Sequence, residues 1–127
     1  MYLVSAAELD YSYKYVNRDS LDALKKSRTD NPLEDILIVK NGCITDTSFS
    51  NIAFYNGSSW VTPDTPLLKG TKRACYLQSG KLMEKRITPD DLRQFHKARL
   101  INAMLDLEIG EDISINNINW EFDNLII

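Results

Sequence analysis

Residues 39–57 read VKNGCITDTSFSNIAFYNG. The stretch is bracketed by Asn41-Gly42 and Asn56-Gly57, pairs that accept the positive φ angles of tight hairpin turns. Between them, CITDTSF and NIAFY have the length and β-branched or aromatic content of short strands. Adding DILIVK before the first turn and SWVT after the second predicts a meander of short antiparallel strands. Asp46 is the single carboxylate in the stretch, set between Thr45 and Thr47. Strand alternation places Ile44, Asp46 and Ser48 on one face. A carboxylate there needs a cation or several donors if it is buried.

Downstream, PDTPLLKG is a proline-punctuated loop, and TKRACYLQ reads as a helix closed by Gly80. KLMEKRI alternates like a strand. In TPDDLRQFH, Thr88 caps a helix, Pro89 takes its first position, and Asp90 and Asp91 load its first turn. KARLINAML is a further strand candidate, and the tail DISINNINWEFDNLII alternates weakly toward an apolar end that calls for cover. Upstream, YSYKYVNR alternates aromatic and polar residues. DSLDALKKSR, residues 19–28, reads as a helix capped by Asp19 or Ser20, with Leu21 and Leu24 on one face and DNPLE as the loop after it.

The 127 residues fit one domain with room for a core. Hydrophobic residues make up 43% and charged residues 26%, as in an ordinary globular protein. A net charge of −3 speaks against nucleic acid or an anionic membrane as partner. No apolar run approaches the ~20 residues of a membrane span, and the N-terminus lacks the basic start of a signal peptide. Cys43 and Cys75 stand far apart without a CxxC partner, and His96 has no ligand-spaced neighbour, so neither zinc nor a disulfide framework is indicated. A reducing cytoplasm is the default expectation.

Three local features could carry chemistry. Lys14, between Tyr13 and Tyr15, is either an ordinary solvated lysine or a buried amine with a lowered pKa. Asp46, with Thr45, Thr47, Ser48, Ser50 and Asn51 around it, is either an edge residue among turn-formers or a buried functional acid. LLKGTKR, residues 67–73, is either a plain loop-to-helix junction or a glycine-started helix whose free N–H groups suit a phosphate.

In this order and spacing, the three features resemble the larger domain of the fold-type IV PLP-dependent enzymes, also called class IV aminotransferases. That family includes branched-chain and D-amino acid aminotransferases and 4-amino-4-deoxychorismate lyase. The resemblance runs from about Tyr11 to Glu108, and its most specific part is ITDTSFSNIAFYNGSSWVTPDTPLLKGTKRA. It implies an α/β (α+β) fold, the larger C-terminal domain of the D-amino acid aminotransferase-like architecture, with a mixed or antiparallel sheet or pseudo-barrel and flanking helices. Residues 1–127 would be that single domain, with 109–127 as a tail.

The resemblance also implies roles. Lys14 matches the Schiff-base lysine, followed by Asn17 and Arg18 as in the lyase members. Asp46 matches the acid that keeps the pyridine nitrogen of pyridoxal 5'-phosphate protonated. Gly70, Thr71 and Lys72 match the phosphate-binding turn, with the backbone N–H groups of Thr71 and Lys72 as donors. Asn102 and Ala103 match a second phosphate contact, and Ser48, Ser50 and Asn51 line the cofactor region. The implied activity is transamination or β-elimination on an amino acid or aminodeoxychorismate-like substrate, by a cytoplasmic homodimer. Asn17-Arg18 and Asn102-Ala103 tilt it toward the lyase side.

Two departures stand out. The family usually has Glu where this chain has Asp46, shorter by one methylene or about 1.5 Å, so the ring must sit closer or a water must bridge. Family members also carry a smaller N-terminal domain before the lysine strand, which supplies a phosphate-binding arginine and much of the substrate pocket, whereas here 13 residues precede Lys14. The expected organisation is therefore the larger domain without the small one. The alternative reading is a non-catalytic remnant serving as an oligomeric or interaction domain.

Overall fold

A computed structural model describes residues 1–5 and 35–118. Lys14, Asn17, Arg18 and the helix expected at 19–28 lie outside the described residues. So does the end of the tail, residues 119–127.

The strands divide between two sheets. In the first, β1 (Tyr2–Ser5) runs parallel to β2 (Ile36–Lys40), which pairs antiparallel with β3 (Cys43–Thr47). The second contains β4 (Asn51–Tyr55), β5 (Trp60–Pro63), β6 (Met83–Lys85), β7 (Lys97–Ile101) and β8 (Ile113–Ser114), in the order β6-β5-β4-β7-β8. Helix α1 (Thr71–Ser79) connects β5 to β6, which pair in parallel.

Both Asn-Gly hairpins form. At the first turn, Asn41 has φ 52° and Gly42 φ 76°. At the second, the Asn56 side chain accepts from the Ser58 and Ser59 N–H groups, each at 2.9 Å. The single meander does not form. CITDTSF stops being a strand at Thr47, and the chain changes sheets over Ser48, Phe49 and Ser50. Local hydroxyls stabilise that corner. Thr47 N–H donates to the Ser50 carbonyl at 3.0 Å, Ser50 N–H donates to Thr47 Oγ1 at 3.1 Å, and the two hydroxyls bond each other at 2.6 Å. These bonds satisfy backbone groups that ladder pairing would otherwise take.

The core lies between the sheets. Leu37 and Val39 of β2, Ile44 of β3, Ile52 and Phe54 of β4 and Val61 of β5 form one apolar cluster with Ile87, Leu92 and Phe95. Ala53 belongs instead to a second cluster with Leu82, Ile101 and Leu107, against which Tyr76 and Leu77 of α1 pack. Strand β4 is thus buried on both faces, which is why its run Ile52-Ala53-Phe54 is continuously apolar.

Three sequence readings are refined. Helix α1 ends as expected at Gly80, whose φ is 83°, and whose N–H bonds the Leu77 and Tyr76 carbonyls. TPDDLRQFH forms a 3-10 helix of six residues, Pro89–Gln94, with Asp91 accepting from Thr88 N–H at 2.9 Å. It stops there because Phe95 is drawn into the core, stacked on Phe54 at 5.2 Å. The tail contributes β8 and a short turn that buries Ile115 and Ile118.

Candidate functional site

One end of the second sheet builds a cavity of about 400 Å³. There Asn51 at the start of β4 pairs with Ile101 at the end of β7. The corner at residues 48–50 and the N-terminus of α1 close around it. The lining includes Asp46, Ser50 and Asn51, then Gly70, Thr71 and Lys72, then Asn102 and Ala103.

Asp46 is 3% exposed. Its Oδ2 accepts from the backbone N–H groups of Leu67 at 3.0 Å and Leu68 at 3.1 Å, and from the Asn51 carboxamide at 3.4 Å. Burial pushes its carboxyl up to about 7, against the opposing pull of those two N–H groups. The buried carboxylate therefore has donors but no contacting cation among the described residues, and it faces a cavity. Proline loop and acid depend on each other: residues after Pro66 can present consecutive N–H groups to Asp46 because they are in neither sheet nor helix.

That same segment leads into the helix start. The first intrahelical bond of α1 runs from Ala74 N–H to the Gly70 carbonyl at 3.1 Å. The N–H groups of Thr71, Lys72 and Arg73 are consequently outside the helical ladder, and the helix dipole adds positive potential at that point. Gly70 has an ordinary φ of −65°, so its need is spatial. A Cβ on Gly70 would overlap the carboxamide oxygen of Asn51. That carboxamide is fixed by its donor bond to the Leu68 carbonyl at 2.8 Å. On the far wall, Asn102 and Leu105 exchange backbone hydrogen bonds of 3.2 and 3.1 Å, and Asn102 Oδ1 accepts from Met104 N–H, leaving Ala103 at an exposed corner.

The structure thus brings together eight of the residues singled out by sequence: Asp46, Ser50, Asn51, Gly70, Thr71, Lys72, Asn102 and Ala103. Ser48 is not among the lining residues. It donates to Asp35 Oδ1 at 2.5 Å, on the first sheet's side of the corner. Lys14 lies outside the described residues. Phe49, Leu68 and Arg73 fall inside segments that the sequence singled out, but they were given no role of their own, and Ile101 and Asp106 were not singled out; Phe49, Leu68 and Ile101 supply apolar lining. Arg73 is buried and donates to the Pro63 carbonyl at 3.0 Å and to Glu84 at 2.5 Å. The available signal was two basic residues in the first turn of a helix, where the dipole disfavours cations and each calls for an acid nearby.

Among the described residues, no group of three or more His, Cys, Asp or Glu could hold a metal ion, and no helix is long and apolar enough to cross a membrane. Cys43 and Cys75 are both free.

Comparison with known proteins places the chain. The amino-transferase class IV family model matches residues 2–108. An uncharacterized protein of Haemophilus influenzae is 42% identical over 97 residues, 76% of this chain and 50% of that one. A crystal structure described as a candidate 4-amino-4-deoxychorismate lyase, from Haemophilus somnus 129pt, superposes with a TM-score of 0.71 at 36% identity, over 82% of this chain and 53% of that one. A crystal structure described as a candidate amino-acid aminotransferase, from Mesorhizobium loti, shares the fold at 20% identity, with a TM-score of 0.69, over 93% of this chain and 57% of that one. The chain spans about half the length of the relatives it matches. With the family model covering most of its length and a mixed α/β fold shared with these proteins, the chain belongs to the class IV aminotransferase family.

Proposed function

We propose that this chain is the cofactor-bearing domain of a pyridoxal 5'-phosphate-dependent enzyme, of 4-amino-4-deoxychorismate lyase or aminotransferase type, and that the cavity beside Asp46 receives the cofactor. The observation that carries the reading is the pairing, in one cavity, of a buried carboxylate with no contacting cation among the described residues and a helix start whose first N–H groups lie outside the helical ladder. The donor set suits the group. A protonated ring nitrogen would give Asp46 the contacting cation that no described residue supplies, and a phosphate is the anion that the turn at Gly70, Thr71 and Lys72 attracts. The volume lies within the roughly 300–1000 Å³ of small-molecule sites.

Asp46 would hold the ring nitrogen, its position fixed by Leu67 and Leu68 N–H. Its shortness relative to Glu brings the ring closer to β3 or leaves room for a water. The N–H groups of Thr71 and Lys72 would anchor the phosphate, with the Asn102-Ala103 turn as a second contact and Ser50 and Asn51 along the wall. Ser48 would act from behind the corner, through its bond to Asp35, rather than by touching the cofactor. When bound, the cofactor supplies a ring that accepts negative charge from the substrate's α-carbon. Lys14 Nζ would hold the cofactor covalently and move the α-proton. The lyase arm is supported by Asn102-Ala103 and by the likeness to the Haemophilus somnus protein.

Phe49 is 45% and Leu68 42% exposed while lining the cavity, and Met104 beyond Ala103 is 89% exposed. That apolar rim supports a homodimer in which a partner copy covers the mouth. It also favours the second reading, an oligomeric interaction domain that retains the fold without catalysis. The two separate on adding pyridoxal 5'-phosphate to the purified chain. The enzyme reading expects a visible absorbance band and a borohydride-trapped bond on a lysine, both lost in Lys14→Ala. A stable oligomer with neither signal leaves the interaction reading.

A further inference from the structure

Among the described residues, Lys72 is the one cationic side chain lining the cavity, and it is already paired. Its Nζ bridges Asp106, which is not part of the lining. Asp106 is held from outside. The next residue, Leu107, donates its N–H to the Tyr76 hydroxyl at 3.0 Å and accepts from Arg99 at 2.7 Å. Glu108 accepts from Tyr76 at 2.8 Å and from Lys81 at 3.2 Å. These bonds tie the segment that carries Asp106 to α1 and β7, so its backbone is held in place. Lys72, on its four-carbon stem, is the partner that can move.

The pair is also weakly held. The two side chains are 33% and 39% exposed, so water screens their attraction. Lys72 occupies the first turn of α1, where the helix dipole disfavours a cation unless an anion is present. A phosphate monoester carries close to two negative charges near neutral pH and offers three acceptor oxygens, against one charge on a carboxylate.

We propose that the Lys72–Asp106 pair is a charge latch. Lys72 leaves Asp106 for the phosphate of a ligand that enters the cavity, and Asp106 sets how tightly that ligand is retained. The latch rests on the reading of the cavity as a phosphate-ester site and adds the residues that tune its affinity. Lys72 then holds the phosphate twice, through its backbone N–H and through its ammonium. The exchange favours a dianionic phosphate over a monoanion, because only the dianion offers Lys72 more charge than Asp106 does.

The test is calorimetric titration of the whole chain with 4'-deoxypyridoxine 5'-phosphate and with unphosphorylated 4'-deoxypyridoxine. Neither probe has an aldehyde, so Lys14 cannot bond them and no catalysis is involved. Wild type, Lys72→Met, Asp106→Asn and the double variant are compared after thermal melts confirm folding. The phosphorylated probe should bind about threefold tighter to Asp106→Asn and about tenfold weaker to Lys72→Met. The double variant should match Lys72→Met, because Asp106 acts only through Lys72. If Asp106→Asn tightens binding equally in the Lys72→Met background, Asp106 merely repels the ligand and the latch is wrong. If the single variants match a wild type that still prefers the phosphorylated probe, the latch falls and the phosphate site stands. If wild type does not prefer the phosphorylated probe, the phosphate reading fails and takes the latch with it.

Discussion

Asp46→Asn separates the buried acid from every other titrating group. The Asp46 carboxyl is held up to about 7, chiefly by burial, against an ordinary value of 3.8. Between those values the folded chain keeps a proton that the unfolded chain has released. The resulting stability is fully present below pH 3.8 and lost as pH rises through about 7. The gap corresponds to at most ~4 kcal/mol, at about 1.4 kcal/mol per pH unit. Asparagine keeps an oxygen for the Leu67 and Leu68 N–H groups and removes the ionisation. Urea denaturation at intervals from pH 4.5 to 8 reads the effect. The wild-type stability should fall relative to Asp46→Asn across that window, leaving the variant the more stable above pH 7. Other acids contribute equally to both proteins and cancel in the difference. A constant difference across the window would mean that Asp46 titrates as a solvated acid, and the argument from its burial would collapse.

Gly70→Ala should push the Asn51 carboxamide off the Leu68 carbonyl, costing ~1–2 kcal/mol in a thermal melt and weakening 4'-deoxypyridoxine 5'-phosphate by about tenfold in a titration. Arg73→Ala removes the donor from the Pro63 carbonyl and Glu84; because Glu84 is half exposed, the loss should be ~2 kcal/mol by urea unfolding. Phe54→Ala empties the centre of the inter-sheet core and should cost ~3–5 kcal/mol by the same assay, with one cooperative transition retained.

Much of the hairpin architecture was legible because turn chemistry is local. Asn41-Gly42 and Asn56-Gly57 need positive φ or side-chain bonds that few other pairs provide, and both turns form. The division into two sheets was not legible. Thr47 read as a strand residue and Ser50 as the break before NIAFY, and no local rule says that the chain changes sheets there; the Thr47–Ser50 hydrogen bonds hold that corner. Alternation put Ile44 and Asp46 on one face, yet Ile44 joins the core and Asp46 the cavity, because the strand runs from one to the other. The residues now gathered around the cavity were singled out through their order along the chain. The ion pair at Lys72 escaped because its acid comes from the loop after β7, at a sequence distance that no local rule spans. Ser48 shows the opposite case: its neighbours line the cavity, but its hydroxyl bonds Asp35, which no reading of the local sequence indicates.

The central claim is that a phosphorylated pyridine ligand enters the cavity between Asp46 and the start of α1. Amide nitrogen–proton correlation spectra of the isotope-labelled chain, titrated with 4'-deoxypyridoxine 5'-phosphate, test it residue by residue. The expected result is that the largest shifts fall on Leu67, Leu68, Thr71, Lys72 and Ala103, saturating together. Shifts confined to the separate cavity at Phe95, His96 and Asn116, or an unchanged spectrum at millimolar ligand, would contradict it.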